Sequence, residues 1–274
     1  MPVISTNTAA NTALRYLNNN SAAQSESLAK LSSGSRIVSA KDDASGLAIA
    51  TSMNADITVL NQAATNVTSG TSVLNTADGA LSNIADILQR MNSLTAQAQS
   101  GSSSTDDLSY INAEYQQLGG EIDDISKTTN FNGVALLDGT SSYSTGVNFL
   151  VGTSSSDTIN VKLAGATTTD LGINGTSITD ATSAASNMDL IQNAISQVSE
   201  MRANVGATLS RFSFRGDVIS TSLENLQSAK SSISDVDIAT EQTKFSNYQT
   251  MTSAAISALS QANSMGQSLL KLLQ

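Results

Sequence analysis

The sequence predicts a mainly α protein: an elongated antiparallel helical bundle or coiled coil, with a small β-hairpin region and paired terminal helices. Apolar residues recur at alternating spacings of four and three through both halves of the chain, the mark of helices that each need a partner. Five Phe, five Tyr and no Trp leave few of the bulky groups that fill a globular interior. The single proline is Pro2, so no internal helix is forced to break.

The first seam is Ala10, Leu14, Leu17, Ser21, Gln24, Leu28 and Leu31, with little large apolar area, and Gly34 interrupts it. The next stretch, "RIVSAKDDASGLAIA", sets Lys41, Asp42 and Asp43 side by side in a chain only 13% charged. Ser39 is the expected cap, with Asp42 three residues on approximating a capping box, and both acids suit the positive end of a new helix. The charges therefore mark a connector between two helical layers, with Gly34, Arg36, Lys41, Asp42, Asp43 and Gly46 as its candidate residues.

A second seam runs Ala50, Met53, Ile57, Leu60, Ala64, Val67, Thr71 and Leu74, then Ala77, Leu81, Ile84, Leu88, Met91 and Ala98. Two successive steps of three, Thr71 to Leu74 to Ala77, act as a stammer. One helix of about 80 Å is expected from Ala44 to near Gln99. Ser104 or Thr105 caps a third helix carrying Asp106 and Asp107 in its first turn and Leu108, Ile111, Tyr115, Leu118, Ile122 and Ile125 along its seam. Between Asn130 and Leu171, "FNGVALLDG", "VNFLVG" and "DTINVKL" read as short strands in hairpins.

From Gly139 to Asn187, 19 of 49 residues are Ser or Thr, which suits a solvated surface and O-linked sugar. Within it, 167–187 is too short and too polar for a core of its own and is expected as a variable surface segment. A further seam follows through Ile191, Ile195, Val198, Val205, Leu209, Phe212, Ile219, Leu223, Leu226 and Ile233, with Arg202, Gly216 and Lys230 in the remaining positions. The last seam is Phe245, Tyr248, Thr252, Ala255, Leu259, Ala262, Gly266, Leu269 and Leu273. Candidate packing residues of the two ends are Leu14, Leu17, Leu28, Leu31, Phe245, Tyr248, Leu259, Leu269 and Leu273. The organisation expected is 1–36 with 236–274, a connector at 37–43, 44–166 with 188–235, and the segment 167–187.

Without histidine or cysteine, no HExxH zinc site, CxxC redox pair, or Cys-His or Ser-His-Asp relay can form, and neither an enzyme nor a cofactor is expected. A net charge of -10 without a basic cluster disfavours nucleic acid and anionic membrane. No apolar run approaches the ~20 residues of a membrane span. The N-terminus lacks the features of a cleaved secretory signal.

The stretch "LSSGSRIVSAKDDASGLAIA" closely resembles the N-terminal signature of bacterial flagellins. The resemblance continues in "TSVLNTADGALSNIADILQRMNSLTAQAQS", in "TNFNGVALLDG", and in the C-terminal "ENLQSAKSSISDVDIATEQTKFSNYQTMTSAAISALSQANSMGQSLLKLLQ". It implies a secreted subunit of the extracellular filament, with an inner layer (D0) of terminal helices and a surrounding layer (D1), here a short form without large outer domains. The partners it implies are copies of itself and other flagellins, an export chaperone on the C-terminal segment, cap and hook–filament junction proteins, and a vertebrate Toll-like receptor. The match to "LQRMNSLTAQ" places that receptor's contact at Gln89, Arg90 and Leu94, with Glu114 nearby; Asn92 and Ser93 depart from many recognised members. A hook–filament junction protein is similar in architecture but matches these motifs less well. A coiled-coil adhesin or scaffold would explain the heptads without the matching seams at both ends.

Overall fold

A computed structural model describes residues 7–100 and 104–271. Six helices and two hairpins follow in the order α1 (Thr8–Ser33), α2 (Ala44–Gln99), α3 (Thr105–Thr128), β1 (Asn130–Phe131), β2 (Val134–Ala135), α4 (Ser142–Thr145), β3 (Val147–Leu150), β4 (Thr158–Val161), α5 (Ala181–Ser234) and α6 (Ile238–Lys271). They form two compact units, one built from the chain up to Ile57 and from Asn225 onward, the other from Thr58 to Glu224. The division falls within α2 and α5, away from the connector that the charges suggest.

In the first unit α1 packs closely along α6. Asn7 caps α1, its side chain accepting from the Ala10 amide at 3.0 Å, and Gly34 ends it at φ 68°, where a side chain would be strained. On α6 the predicted seam is the one that turns inward: Phe245, Tyr248, Thr252, Ala255 and Leu259 are half-buried and Ala262 is buried. The burial of Gly266 and Leu269, and all of Leu273, lie outside what is described.

On α1 the register differs from the expected one. Ala10, Leu17, Gln24 and Leu31 face inward as the spacing predicts, but Ala13, Asn20 and Ser27 take the places assigned to Leu14, Ser21 and Leu28. Leu14 and Leu28 are 45% and 53% exposed. Small side chains let two helix backbones approach, and Ser27 adds a buried hydrogen bond to Glu241 that no apolar pattern encodes.

In the second unit the seam of α5 agrees with the spacing. Ile191, Val198, Val205, Phe212 and Ile219 are each no more than 3% exposed. On α2, Leu74, Ala77, Leu81, Ile84, Leu88, Met91 and Ala98 are buried with them. Phe212 occupies the space over Gly70, where a Cβ would lie 2.6 Å from its ring, and meets Phe149 edge-to-face at 5.8 Å. Arg202 pairs with Asp78 at 3.0 Å.

α3 opens on a full capping box between Ser104 and Asp107, which resolves the choice between Ser104 and Thr105. β1 and β2 pair antiparallel across Asn132 and Gly133, whose φ of 51° and 78° give the turn that matches strand twist. β3 pairs with β4 in the register Val147 to Val161.

The segment 167–187 is a correction. Leu171, Ile173 and Ile178 are at most 3% exposed and Thr168 is buried, so this stretch packs into the unit and does not simply coat it. Helix α3 holds it: Asp123 accepts from the Thr168 amide at 2.8 Å and hydroxyl at 3.0 Å, Asn112 accepts from the Ile178 amide at 2.8 Å, and Tyr115 bonds Thr176 at 2.8 Å. α5 begins at Ala181, earlier than expected, with Asp180 accepting from the Thr182 and Ser183 amides at 2.9 and 2.8 Å.

Candidate functional site

Three groups of residues carry candidate function: the terminal-helix pair, the connector, and a polar patch on α2 and α3.

Glu241 is 5% exposed, and both its oxygens are used. Ser27 donates to Oε1 at 2.7 Å and Lys244 Nζ donates to Oε2 at 3.0 Å. The Ser27 hydroxyl chiefly holds the carboxyl below its ordinary range, against the opposing cost of burial, and Lys244 adds to it. Asn7 Nδ2 donates to the Ala262 carbonyl at 2.9 Å. The interface is thus pinned by polar contacts along its length, while Leu14, Leu28, Met251, Ile256 and Met265, each at least 42% exposed, stay on the outer faces of the two helices.

The connector is built from backbone. Ser35 and Asp235 form an antiparallel bridge; the Arg36 amide donates to the Ser234 carbonyl at 2.6 Å and the Val236 amide to the Gly34 carbonyl at 3.1 Å. Arg36 Nη2 also donates to the Ile233 carbonyl at 2.6 Å. Asp42 Oδ2 accepts from the amides of Ser39 at 3.0 Å and Val38 at 3.2 Å, closing a turn, and these donors lower its pKa, that of Ser39 foremost.

The expected cap at Ser39 is therefore corrected: Asp43 caps α2, accepting from the Gly46 amide at 2.8 Å, because the helix begins only at Ala44. Gly46 is buried where a Cβ would lie 2.5 Å from Asp43 Oδ2 and 2.7 Å from Ile37 Cδ1, so glycine lets the cap and the buried Ile37 close over the helix start. Lys41 is exposed and forms no ion pair among the described residues.

On the polar patch Arg90 grips Glu114, with Nε and Nη2 at 2.8 and 2.7 Å from Oε1. Gln89 is exposed beside them. Leu94 is not part of this surface: at 2% exposed it lies on the core face of α2 with Met91, Thr95 and Ala98. Among the described residues no group of His, Cys, Asp or Glu is placed to hold a metal ion, and no helix is long and apolar enough to cross a membrane.

One long helix from each half, α2 and α5, with α3 and two hairpins between them in sequence and a paired helix at each end of the chain, is the arrangement that the family models match. The bacterial flagellin N-terminal helical region matches residues 4–142, and the bacterial flagellin C-terminal helical region matches 188–273. The chain belongs to the bacterial flagellins.

This flagellin is 35% identical to the flagellin of Listeria monocytogenes over 94% of each chain. It is 34% identical to the flagellar filament 33 kDa core protein of Treponema phagedenis, over 99% of this chain and all of that one. The crystal structure of Bacillus cereus flagellin superposes with a TM-score of 0.51 at 31% identity, over 56% of this chain and 88% of that one. The family is structural and non-enzymatic, and its role, that of a flagellar filament subunit, is the role of this chain.

Proposed function

We propose that this flagellin leaves the cell unfolded and polymerises with copies of itself through its terminal helices. Residues 1–36 and 236–274 form the inner layer, 37–43 the connector that sets its angle to the outer layer, and 44–166 with 188–235 the outer layer. The observation that carries this is the pairing of α1 with α6 along a seam whose large side chains are only half-buried, while Leu14, Leu28, Met251, Ile256 and Met265 stay exposed. A stripe of this kind gains by burial against further copies, at about 25 cal/mol per Å² of apolar area. Deleting 259–274 tests it: the truncated chain is expected to form no filaments, and intact filaments from it would sink the reading.

Before assembly the same apolar face of α6 suits an export chaperone, and cap and hook–filament junction proteins complete the expected partners. The Arg90–Glu114 pair with Gln89 is the surface proposed for a vertebrate Toll-like receptor; buried Leu94 weakens that surface. Receptor reporter activity unchanged by Arg90→Ala with Glu114→Ala would remove it. O-linked sugar, if carried, is confined to exposed hydroxyls such as Thr169 and Thr179, which intact-mass measurement checks.

A further inference from the structure

The two most exposed large apolar side chains of the described residues are Tyr110, at 74%, and Phe214, at 70%. Their surroundings are opposite in charge. Phe214 shares one face of α5 with Arg211, Arg215 and Val218, at the spacing of adjacent helical turns. With Thr158 and Ile159 of β4 these residues line an open groove of about 340 Å³. Neither arginine has a carboxylate within ion-pair distance among the described residues, in a chain of net charge -10. Tyr110 instead follows Asp106 and Asp107 in the first turns of α3, where the hydrogen bonds of the turn go to Asp107 and to the Asp106 carbonyl and leave the Asp106 carboxylate outward.

One chain does not close these two patches on each other. Asn112 accepts from the Ile178 amide, which puts the start of α3 at the end of the unit where α5 begins. Arg211 lies about thirty residues further along α5, or ~45 Å at the rise of an α-helix. An aromatic flanked by acids and an aromatic flanked by arginines, fixed far apart on one unit, are suited to a heterologous contact between copies, which by repetition builds a ring or an open filament.

We propose that the Asp106–Asp107–Tyr110 tip of one copy docks in the Arg211–Phe214–Arg215 groove of the next, a head-to-tail contact within the unit spanning Thr58 to Glu224. The inference rests on the filament reading and adds to it the residues of a contact outside the terminal helices. Acid–arginine complementarity sets the direction of stacking, and the ring entering the groove covers Phe214 and Val218.

The chain has no cysteine, which makes the test direct. Tyr110→Cys and Phe214→Cys are placed in one chain, polymerised and mildly oxidised. A ladder of covalent oligomers beyond the dimer is expected on a non-reducing gel, and a mixture of the two single variants gives dimers containing one of each. Arg211→Asp is expected to raise the concentration needed for polymerisation by about tenfold, and adding Asp106→Arg to restore it. Filaments that form normally without the cross-link, or with only like-to-like links, overturn the docking contact and leave the filament reading standing. Failure of the unaltered chain to polymerise overturns both.

Discussion

The α1–α6 pair and the α2–α5 seam share one heptad spacing and differ in what fills it. In the α2–α5 seam, Leu74, Leu81, Val205 and Phe212 are at most 3% exposed, and hairpins and α3 belong to the same unit. In the α1–α6 pair small residues such as Ala10, Ala13, Ala255 and Ala262 alternate with half-buried Leu17, Leu31, Phe245, Tyr248 and Leu259, and among the described residues of the pair only Ser27, Glu241 and Ala262 are buried. Spacing thus announces that a helix has a partner; side-chain volume tells how much of that partner the chain itself supplies. Large groups are enclosed where one chain completes the core, and are half-buried or face outward where it does not.

The comparison is broken most severely at Phe212. Phe212→Ala empties a fully buried site over Gly70 and is expected to cost about 3–5 kcal/mol, read as a lower thermal midpoint of the unit from Thr58 to Glu224. Glu241→Ala is the counterpart in the terminal pair. It strips the acceptor from Ser27 and should cost about 1–3 kcal/mol, read as loss of helical signal at the chain ends, with Glu241→Gln milder.

The same group predicts acid sensitivity. Because its folded-state pKa lies below the ordinary 4.5, its contribution is fully present above that pH and is lost as pH falls through the lowered value. A pH titration of Glu241→Gln should lack this loss; an unchanged acid transition in that variant would remove Glu241 from the account.

Asp43→Ala removes the cap of α2 and is expected to cost about 1 kcal/mol by chemical denaturation. If the turn also sets filament form, filament pitch should change too. The smallest effect on the monomer is the most telling. Leu14→Ser and Leu28→Ser should leave its stability within about 0.5 kcal/mol while lowering sedimentable polymer, since both side chains face outward.

Most of the helical frame was legible because helix spacing is local. The bounds of α2 and the seam of α5, from Ile191 to Ile233, follow from apolar spacing and the absence of internal proline. The register of α1 was not legible: it turns on Ser27 meeting Glu241 across the chain, and a count of apolar residues assigns Leu28 inward instead. Leu94 was read as surface from a motif, yet it shares the core face of α2 with Met91 and Ala98. The burial of Leu171 and Ile178 depends on Asn112, Tyr115 and Asp123 from a distant helix, which no window of neighbouring residues contains. Asp43 displaced Ser39 as cap because Asp42 closes a turn of its own just before the helix.

Hydrogen exchange of monomer and filament side by side tests most directly whether the terminal pair is incomplete until copies assemble. In the monomer, amides of α1 and α6 should exchange far faster than those of α2 and α5 between Thr58 and Glu224, and polymerisation should slow the former to the rate of the latter. Terminal helices already as protected in the monomer as the central seam, or unprotected in the filament, would contradict the account.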